Sequence, residues 1–497
     1  MNDEHNNVKK LDELPRAEVE SLAEEAMNSP WRQKYHVQPV FGELGHPTAF
    51  IHFNHNYHVF YQWFPFGADN SVPYWYHVKS HDLSLFENKG IFIKPDSLYD
   101  TLGALSGDVY AFDSELFMLY HGRRKKGSKT IDSLLSGIMN EREKFDKDST
   151  IIDVESEDIE LHNIKDPVLY QHKQDLYIIS GAMNAMEYGR LAVFKAYEDS
   201  FRYMGELTTG FNEFGYQWEY PDIIEIDNQV LLAFCPKGID KYQNHFHNMF
   251  QAGYIIGEID LDNLEMLHGS FIEFDHGFDF YAPRLTKSPK GKTLLMGWMG
   301  MKDSSYPTDA SGWQHCLTIP RELSIVDNKL RQVPVDSIKL MRGEPVEAEG
   351  YITQFPHKMR DFEGDSYEMI INILENTSSL LYMKFRLSHR EETVLKYDSA
   401  SKEFTLNRGL SGQLPEDVDG VERTVILDNP LWQVRIFMDV SSIEVFINDG
   451  EAVMSARIFP RDDATGVELS TETGECHTNI IQYPMKHFPD EAIINKR

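Results

Sequence analysis

The chain has 497 residues, too many for one ordinary hydrophobic core, so roughly two to four domains are expected. Hydrophobic residues make up 41 % of the chain and charged residues 26 %, a balance that argues against bulk disorder. The formal net charge of −31 argues against nucleic acid or an anionic membrane as the main partner, because binding phosphate groups requires a basic surface.

A single helix is predicted near the beginning of the chain, over residues 11–29, and Pro30 ends it. Acidic residues cover most of this helix, while its apolar side chains fall roughly on one side. The side chains expected to face the core are Leu14, Val19, Leu22 and Met27.

Short strands follow from residue 48 to about residue 325; they are rich in Val, Ile, Phe and Tyr and are joined in pairs by polar turns. The clearest of these turns are Asp113-Ser114, Gln174-Asp175 and Asp227-Asn228. The hairpins recur about every 50–60 residues, which is typical of the blades of a β-propeller.

Strands with alternating apolar and polar residues continue from about residue 345, and two of them flank an Asn448-Asp449-Gly450 turn. This pattern predicts a β-sandwich. We therefore expect an all-β protein in three parts: an N-terminal helical extension over residues 1–30, a propeller over residues 31–335 and a C-terminal sandwich over residues 345–497.

The three cysteines, Cys235, Cys316 and Cys476, are far apart and include no Cys-x-x-Cys pair. Neither a disulfide framework nor a zinc ribbon is therefore predicted. The sequence has no apolar stretch typical of a signal peptide and no apolar run of about 18 residues. A reducing cytoplasm is the predicted compartment, and no membrane partner is expected.

Histidines cluster at two places, as His52, His55 and His58 and as His245 with His247. If the first three lie on one strand, His55 points to the face opposite to the other two. We therefore predict no metal site. The sequence also has no Gly-rich phosphate loop, and no cofactor is expected.

Three motifs place a proline beside an acidic residue or a histidine: Gly45-His46-Pro47, Lys165-Asp166-Pro167 and Glu219-Tyr220-Pro221. We expect each proline to end a strand, and strand ends on one face of a propeller meet at its central funnel. Two carboxylates brought together there are the minimum equipment for hydrolysing a glycosidic bond. A surface turn is the alternative explanation for each motif taken alone.

From about Pro30 onwards, a series of short motifs resembles glycoside hydrolase family 32, and within it the bacterial enzymes that act on sucrose 6-phosphate. The motifs occur in the family's order: SPWRQKYHVQP, HVFYQWFPFG, GALSGDVY, KDPVLY, WEYPD, GFDFYAP, GWMG, PRELSI and DVSSIEVFINDGEAVMSARIFP. The resemblance implies a five-bladed β-propeller joined to a β-sandwich. It also implies retaining hydrolysis of terminal β-fructofuranosides such as sucrose, sucrose 6-phosphate or fructo-oligosaccharides, by a monomer or homodimer.

The resemblance also implies roles for individual residues. Glu219 matches the acid/base of the family's Glu-Cys-Pro motif, a role that requires a raised pKa. Asp166 matches the Asp of Arg-Asp-Pro, which holds fructose hydroxyls. The positions that match the fructose pocket or its neighbouring basic residue are Gln62, Trp75, Ser106, Lys165 and Trp298. For the two tryptophans, ordinary core packing is the alternative.

The sequence departs from the family most clearly at residues 45–49, where Asn-Asp-Pro-Asn-Gly is expected and only Pro47 is kept. His46 therefore occupies the place of the nucleophile. In addition, Lys165 replaces the family's Arg and loses its planar bidentate fork, and Tyr220 replaces a Cys.

Imidazole is a nucleophile in principle, so His46 remains a candidate catalytic residue. A glycosyl-imidazolium, however, places positive charge where the transition state also develops it. Losing the nucleophile costs another hydrolase about 10⁴–10⁶ in turnover. Two hypotheses stay open: a weakly active β-fructofuranosidase, and an inactive relative that binds fructosides as a sensor or as the partner of an active copy. An error in reading the codons for residues 43–49 would also explain the local changes.

Overall fold

A computed structural model describes residues 9–487, except for residues 70, 113, 141, 152, 156–158, 199 and 417–419. The N-terminal segment forms a 3₁₀ turn, Leu11–Glu13, and then the helix Arg16–Met27. The prediction of one helix over 11–29 is thus wrong at its start, because Pro15 holds the preceding Leu14 in an extended conformation. Met27 is also 40 % exposed rather than in the core. No helix among the described residues is long and apolar enough to cross a bilayer.

Five sheets of mainly antiparallel strands follow, here named blades I to V. In each blade the innermost strand contacts the innermost strand of the next blade, and blade V contacts blade I, so the blades form a closed ring. The innermost strands are Gly42–Phe53, Ala104–Phe112, His162–His172, Gln217–Ile226 and Tyr281–Lys287. This arrangement confirms the predicted five-bladed propeller.

The strands of each blade are given in the order of the chain. Blade I consists of Gly42–Phe53, Asn56–Phe64, Tyr74–Ser80, Glu87–Ile93 and the late strand Trp313–Gln314. Blade II consists of Ala104–Phe112, Glu115–Lys126, Lys129–Met139 and Phe145–Ile151. Blade III consists of Asp153–Glu155, His162–His172, Asp175–Met183, Gly189–Tyr197 and Ser200–Glu206. Blade IV consists of Gln217–Ile226, Gln229–Lys237, Gly253–Asp260, Glu265–His268 and Ile272–Glu273. Blade V consists of Tyr281–Lys287, Thr293–Met299, Cys316–Leu317, Arg321–Val326 and Lys329–Pro334.

The C-terminal part is a sandwich of two six-stranded sheets, as predicted. Two further 3₁₀ segments occur earlier in the chain: Pro307–Ser311, just before the late strand of blade I, and Asp336–Met341, between the last propeller strand and the first sandwich strand. One sheet consists of Val346–Ile352, Tyr367–Asn376, Gln433–Asp439, Ser442–Ile447, Ala452–Arg457 and Cys476–Pro484. The other consists of His357–Lys358, Leu380–Leu387, Glu392–Asp398, Glu403–Leu410, Glu422–Ile426 and Gly466–Thr471. The domain boundaries at residues 30, 335 and 345 stay a prediction.

The stretch from His52 to His58 is a hairpin rather than one strand: His55 lies in its turn with a φ of 62°, and His58 is buried against His77. The Asp227-Asn228 turn is present, and both residues adopt positive φ, as a tight hairpin requires. The predicted turn at Asp113-Ser114 falls partly outside the described residues, because residue 113 is one of the exceptions.

A buried ionic network joins the propeller to the sandwich. Its centre is Arg321 of blade V, whose Nη2 donates to Asp275 Oδ2 at 3.0 Å and to Glu444 Oε2 at 2.8 Å. The other oxygen of Glu444 lies 3.1 Å from Nε2 of His36, and Nδ1 of the same imidazole lies 2.8 Å from Asp439. Burial alone lowers the pKa of His36, but the two carboxylates outweigh it and raise this pKa to about 9. The imidazole is therefore a cation at neutral pH.

Candidate active site

The innermost strand of every blade carries a register shift at a similar position, and four of these shifts contain a proline. The prolines are Pro47, Pro167, Pro221 and Pro283, while blade II has Gly107 at its shift. The expectation that each proline ends a strand is wrong, because a bulge leaves the proline nitrogen without a ladder bond and the strand continues beyond it.

The bulges turn the preceding side chains towards the centre of the ring. Asp166, Tyr220 and Ala282, the residues just before three of the prolines, adopt positive φ of 54°, 47° and 44°. Backbone of this kind is costly for a non-glycine residue and persists where surrounding contacts fix it. The repeated distortion thus places residues that are distant in sequence into one site.

Contacts run from blade to blade across this site. Ser106 of blade II donates a short hydrogen bond to Asp166 Oδ1 of blade III. The other oxygen of Asp166 accepts the backbone N–H of Tyr220 in blade IV at 3.2 Å. The Tyr220 ring in turn lies 4.4 Å from the ring of His46 in blade I, measured between centroids. The structure therefore brings His46, Ser106 and Asp166 together.

Glu219 of blade IV is almost fully buried, with 1 % of its surface exposed. Its Oε1 accepts a short hydrogen bond from Lys165 and lies 3.0 Å from Nζ of Lys237, while its Oε2 accepts from the Tyr281 hydroxyl at 3.1 Å. Burial by itself raises the pKa of Glu219, but Lys165, Lys237 and Lys302 outweigh it and lower this pKa to about 2. The raised pKa expected of a general acid is therefore not found in the free protein.

His46 is 6 % exposed, and its Nε2 is buried without a hydrogen-bond partner among the described residues. Burial is the largest influence on its pKa, and the charges of Arg284, Lys302 and Lys165 act in the same direction. Against a smaller opposing effect of Glu219, they lower the pKa to about 3. The imidazole is consequently uncharged at neutral pH.

This state of His46 is directly measurable. Because the pKa is about 3 in the fold and about 6.5 in the unfolded chain, we expect no titration of this imidazole between pH 8 and pH 5. The same difference removes stability as the pH falls from 6.5 towards 3, since only the unfolded chain gains the proton there. NMR of histidine-labelled protein, assigned with a His46→Asn variant, tests this. A His46 midpoint near pH 6.5 contradicts it.

Glu43, three residues before His46, is the nearest acidic residue along this strand. Its Oε2 accepts the backbone N–H of Ala68 at 2.7 Å, and the carboxylates that influence its ionisation are Asp309 and Asp69 rather than Glu219. Burial raises the pKa of Glu43 to about 7. It therefore does not take the nucleophile's place opposite Glu219.

Arg284 ties the blades together beneath the site. Its Nε donates to the carbonyl of Pro47 at 3.3 Å and its Nη2 to the carbonyl of Gly107 at 2.9 Å. Asp222, 3.8 Å from Nη1 of Arg284, also accepts the backbone N–H of Leu285 at 2.9 Å. Burial raises the pKa of Asp222 to about 7, although the charge of Arg284 acts in the opposite direction.

The predicted pocket residues divide into two groups. His46, Gln62 and Trp298 line an open cavity of about 1170 Å³, together with Tyr220 and Lys302. Trp75, in contrast, is fully buried, packs against Phe60 and Tyr120, and donates its indole N–H to the carbonyl of Leu105 at 2.6 Å. Core packing therefore accounts for Trp75.

Residues 36–334 match the family model described as the glycosyl hydrolases family 32 N-terminal domain, and residues 338–484 match that of the family's C-terminal part. The chain belongs to glycosyl hydrolase family 32. A family 32 relative, the sucrose-6-phosphate hydrolase of Staphylococcus xylosus, is 37 % identical over 485 residues, which cover 96 % of this chain and 97 % of the relative. That of Bacillus subtilis is 30 % identical and covers 93 % of this chain and 96 % of the relative.

Among solved family 32 structures, the sucrose-6-phosphate hydrolase of Lactobacillus gasseri superposes with a TM-score of 0.89 at 27 % identity, covering 97 % of this chain and 98 % of the other. A beta-fructofuranosidase of Bombyx mori, at 24 % identity, shares the fold with a TM-score of 0.80 and covers 95 % of this chain and 99 % of the other. This family 32 chain is thus of the sucrose-6-phosphate hydrolase and β-fructofuranosidase type.

Four residues of this family 32 site were missed by sequence reasoning: Lys237, Tyr281, Arg284 and Lys302. Three had a detectable signal. The stretch Tyr281-Ala282-Pro283-Arg284 repeats the proline motif that marks the site in other blades. The hairpin that turns at Asp227-Asn228 places Lys237 opposite Gln217, two residues from Glu219. No such signal points to Lys302, which lies outside the named strands.

Proposed function

We propose that the central cavity binds β-fructofuranosides and that this chain hydrolyses them at least about 1000-fold more slowly than an ordinary enzyme of the type. The observation that carries the proposal is His46, a buried and uncharged imidazole at the nucleophile's position. A retaining glycosidase needs a carboxylate there, about 5 Å from the acid/base, to form the glycosyl-enzyme. Imidazole offers neither the negative charge nor a neutral covalent product.

The proton donor supports the same proposal. Glu219 is held as a carboxylate by Lys165 and Lys237, so it has no proton to give to a leaving glycosidic oxygen. General acid catalysis works best when the pKa of the acid lies near the working pH, and a pKa of about 2 is far below it. The nucleophile and the general acid of the first displacement are therefore both impaired.

The proposed binding roles use the remaining polar groups. We assign the Gln62 amide to sugar hydroxyls and the Trp298 ring to a sugar C–H face, since both residues line the cavity. The family resemblance assigns fructose hydroxyls to Asp166, whose carboxylate also accepts from Ser106. The relatives named as sucrose-6-phosphate hydrolases support sucrose 6-phosphate and sucrose as the first ligands to test. A variant of the Bombyx mori protein with one aspartate replaced by alanine is described in complex with sucrose, so a protein of this fold altered at an aspartate still holds the sugar.

Slow hydrolysis is the enzymatic part of this proposal. It is favoured by the 37 % identity to a sucrose-6-phosphate hydrolase over nearly the whole chain. The second candidate function is binding without turnover. In that case the chain serves as a fructoside sensor or as the partner of an active copy.

Calorimetry with sucrose, sucrose 6-phosphate and a fructo-oligosaccharide tests the proposal. We expect saturable binding of at least one of these sugars, weakened about 10-fold or more by Asp166→Asn, because that change removes an acceptor for sugar hydroxyls. Asp175→Asn, on the same blade but on the outer surface and paired with Lys195, is the matched control. No binding by the unaltered chain, or equal weakening by both variants, contradicts the proposal.

We further propose a cytoplasmic location and a monomer or homodimer. The three cysteines are free and buried, which suits a reducing compartment. Light scattering coupled to gel filtration measures the oligomeric state, and a particle larger than a dimer contradicts that part of the proposal.

A further inference from the structure

Three side chains of blade IV and its following loop meet beside the junction of the propeller and the sandwich, away from the sugar cavity. His245 Nδ1 lies 3.1 Å from Glu273 Oε2, and His276 Nδ1 lies 3.9 Å from the same oxygen. One ligand atom from each of the three residues lies within 4.8 Å of the other two. We call this group the His-Glu-His cluster.

The spacing suits a transition-metal ion. Nitrogen and oxygen ligands about 2.0–2.2 Å from a tetrahedral Zn²⁺ are separated from each other by about 3.3 Å. The distances of 3.1 and 3.9 Å need only small side-chain movements to reach this value. Two imidazoles and one carboxylate are also ligands that Zn²⁺ accepts, whereas Ca²⁺ and Mg²⁺ prefer oxygen alone.

The surroundings hold two of the three ligands in place. The second oxygen of Glu273 accepts the backbone N–H of Phe246 at 3.1 Å, which fixes the orientation of the carboxylate. The backbone N–H of His276 donates to the carbonyl of Val453 in the sandwich at 2.8 Å. Side-chain exposure is 8 % for Glu273 and 14 % for His276, so both are shielded from bulk water.

The cluster opens onto a groove. His245, Glu273 and His276 all line this groove of about 220 Å³, which leaves room for a water molecule in a fourth position.

We propose that His245, Glu273 and His276 form a zinc-binding site, independent of the sugar cavity. The pairing of His245 with His247 considered from the sequence is not the relevant one, because Nε2 of His247 lies 2.5 Å from the carbonyl of Gln243 and outside the cluster. His276 lies 31 positions beyond His245, and only the fold of blade IV brings them together.

The ion holds a segment at the junction of the propeller and the sandwich. Residues 246–249 line a second cavity of about 570 Å³ between propeller and sandwich, and Arg423 of the sandwich donates to the carbonyl of His247 at 3.1 Å. Zinc at the His-Glu-His cluster ties this segment to blade IV, whose end is bonded to the sandwich through His276 and Val453. The bound ion therefore stabilises the junction of the two parts.

The test uses the full chain after treatment with EDTA and dialysis, titrated with ZnCl₂ by calorimetry. We expect one strong site per chain, a rise in melting temperature on loading, and a visible absorption spectrum with Co²⁺ in place of zinc. Replacing a ligand by His245→Ala or Glu273→Gln weakens this site by more than about 100-fold, beyond the effect typical of outer-shell residues. His245 is half exposed, so its replacement leaves the fold intact, which circular dichroism verifies.

The matched control is His247→Ala, which removes another histidine, half-buried, from the same segment. It retains the strong site if the proposal is right. Absence of saturable zinc binding by the unaltered chain overturns the proposal, and so does a strong site that survives His245→Ala or is lost in His247→Ala.

Discussion

The His46→Asp variant is expected to hydrolyse sucrose or sucrose 6-phosphate at least about 1000-fold faster than the unaltered chain, which corresponds to about 4 kcal/mol of activation free energy. Burial is the main reason that the imidazole is uncharged, and the charges of Arg284 and Lys302 add to it; the same two charges favour the ionised form of a carboxylate at this position. The added negative charge also raises the pKa of Glu219 from about 2 and so improves its ability to donate a proton. Initial rates of fructose release at saturating substrate provide the measurement.

Two variants control this experiment. His46→Asn, which is similar in size and uncharged, is expected to give no gain, and His55→Asp places the same charge in an outer hairpin turn. Adding Glu219→Gln to His46→Asp is expected to abolish the gain. The proposal fails if the unaltered chain already turns over at ordinary rates and loses this activity through Glu219→Gln alone.

The largest loss of stability is expected from Arg321→Met. Arg321 is fully buried and holds Asp275, Glu444 and Ser455 through one nitrogen, so its removal leaves two buried carboxylates short of a counter-charge. Breaking a buried ion pair in this way costs about 3–5 kcal/mol of the free energy of unfolding. Urea unfolding followed by tryptophan fluorescence measures the loss.

Lys339→Met serves as the reference for this change, since Lys339 pairs with Asp336 on the surface and half of its side chain is exposed. Little change in the unfolding midpoint is expected for it. A similar midpoint for Arg321→Met and Lys339→Met shows that the network does not stabilise the junction.

The architecture was largely accessible from the sequence because it depends on local signals. Alternating apolar residues and turns such as Asp227-Asn228 are properties of neighbouring positions, and they predicted hairpins that the structure contains. The bulges were not accessible in this way. Whether Pro167 ends a strand or lies within one depends on the register with the next strand, which a single strand's sequence does not encode.

The residues of the site were easier to predict than their chemistry. Ser106, Asp166 and Glu219 were located by motifs that resemble the family, and the structure brings them together as described. The ionisation of Glu219 depends on Lys237 and Lys302, whose approach is a product of the folded backbone. For Trp75 the predicted position in the pocket was not found. Its indole packs in the core and donates to the carbonyl of Leu105.

The late strand of blade I has a consequence for biosynthesis. Trp313–Gln314 pairs in parallel with Gly42–Glu43, and the backbone of Lys34 and Tyr35 bonds to the carboxylate of Asp439. A nascent chain emerging from the ribosome cannot close its ring until residue 314 has been translated, nor anchor its first turns until residue 439 has. Until residue 314 has been translated, the edge of blade I is open. A chaperone that covers this edge during translation would keep it from pairing with a second copy of the chain.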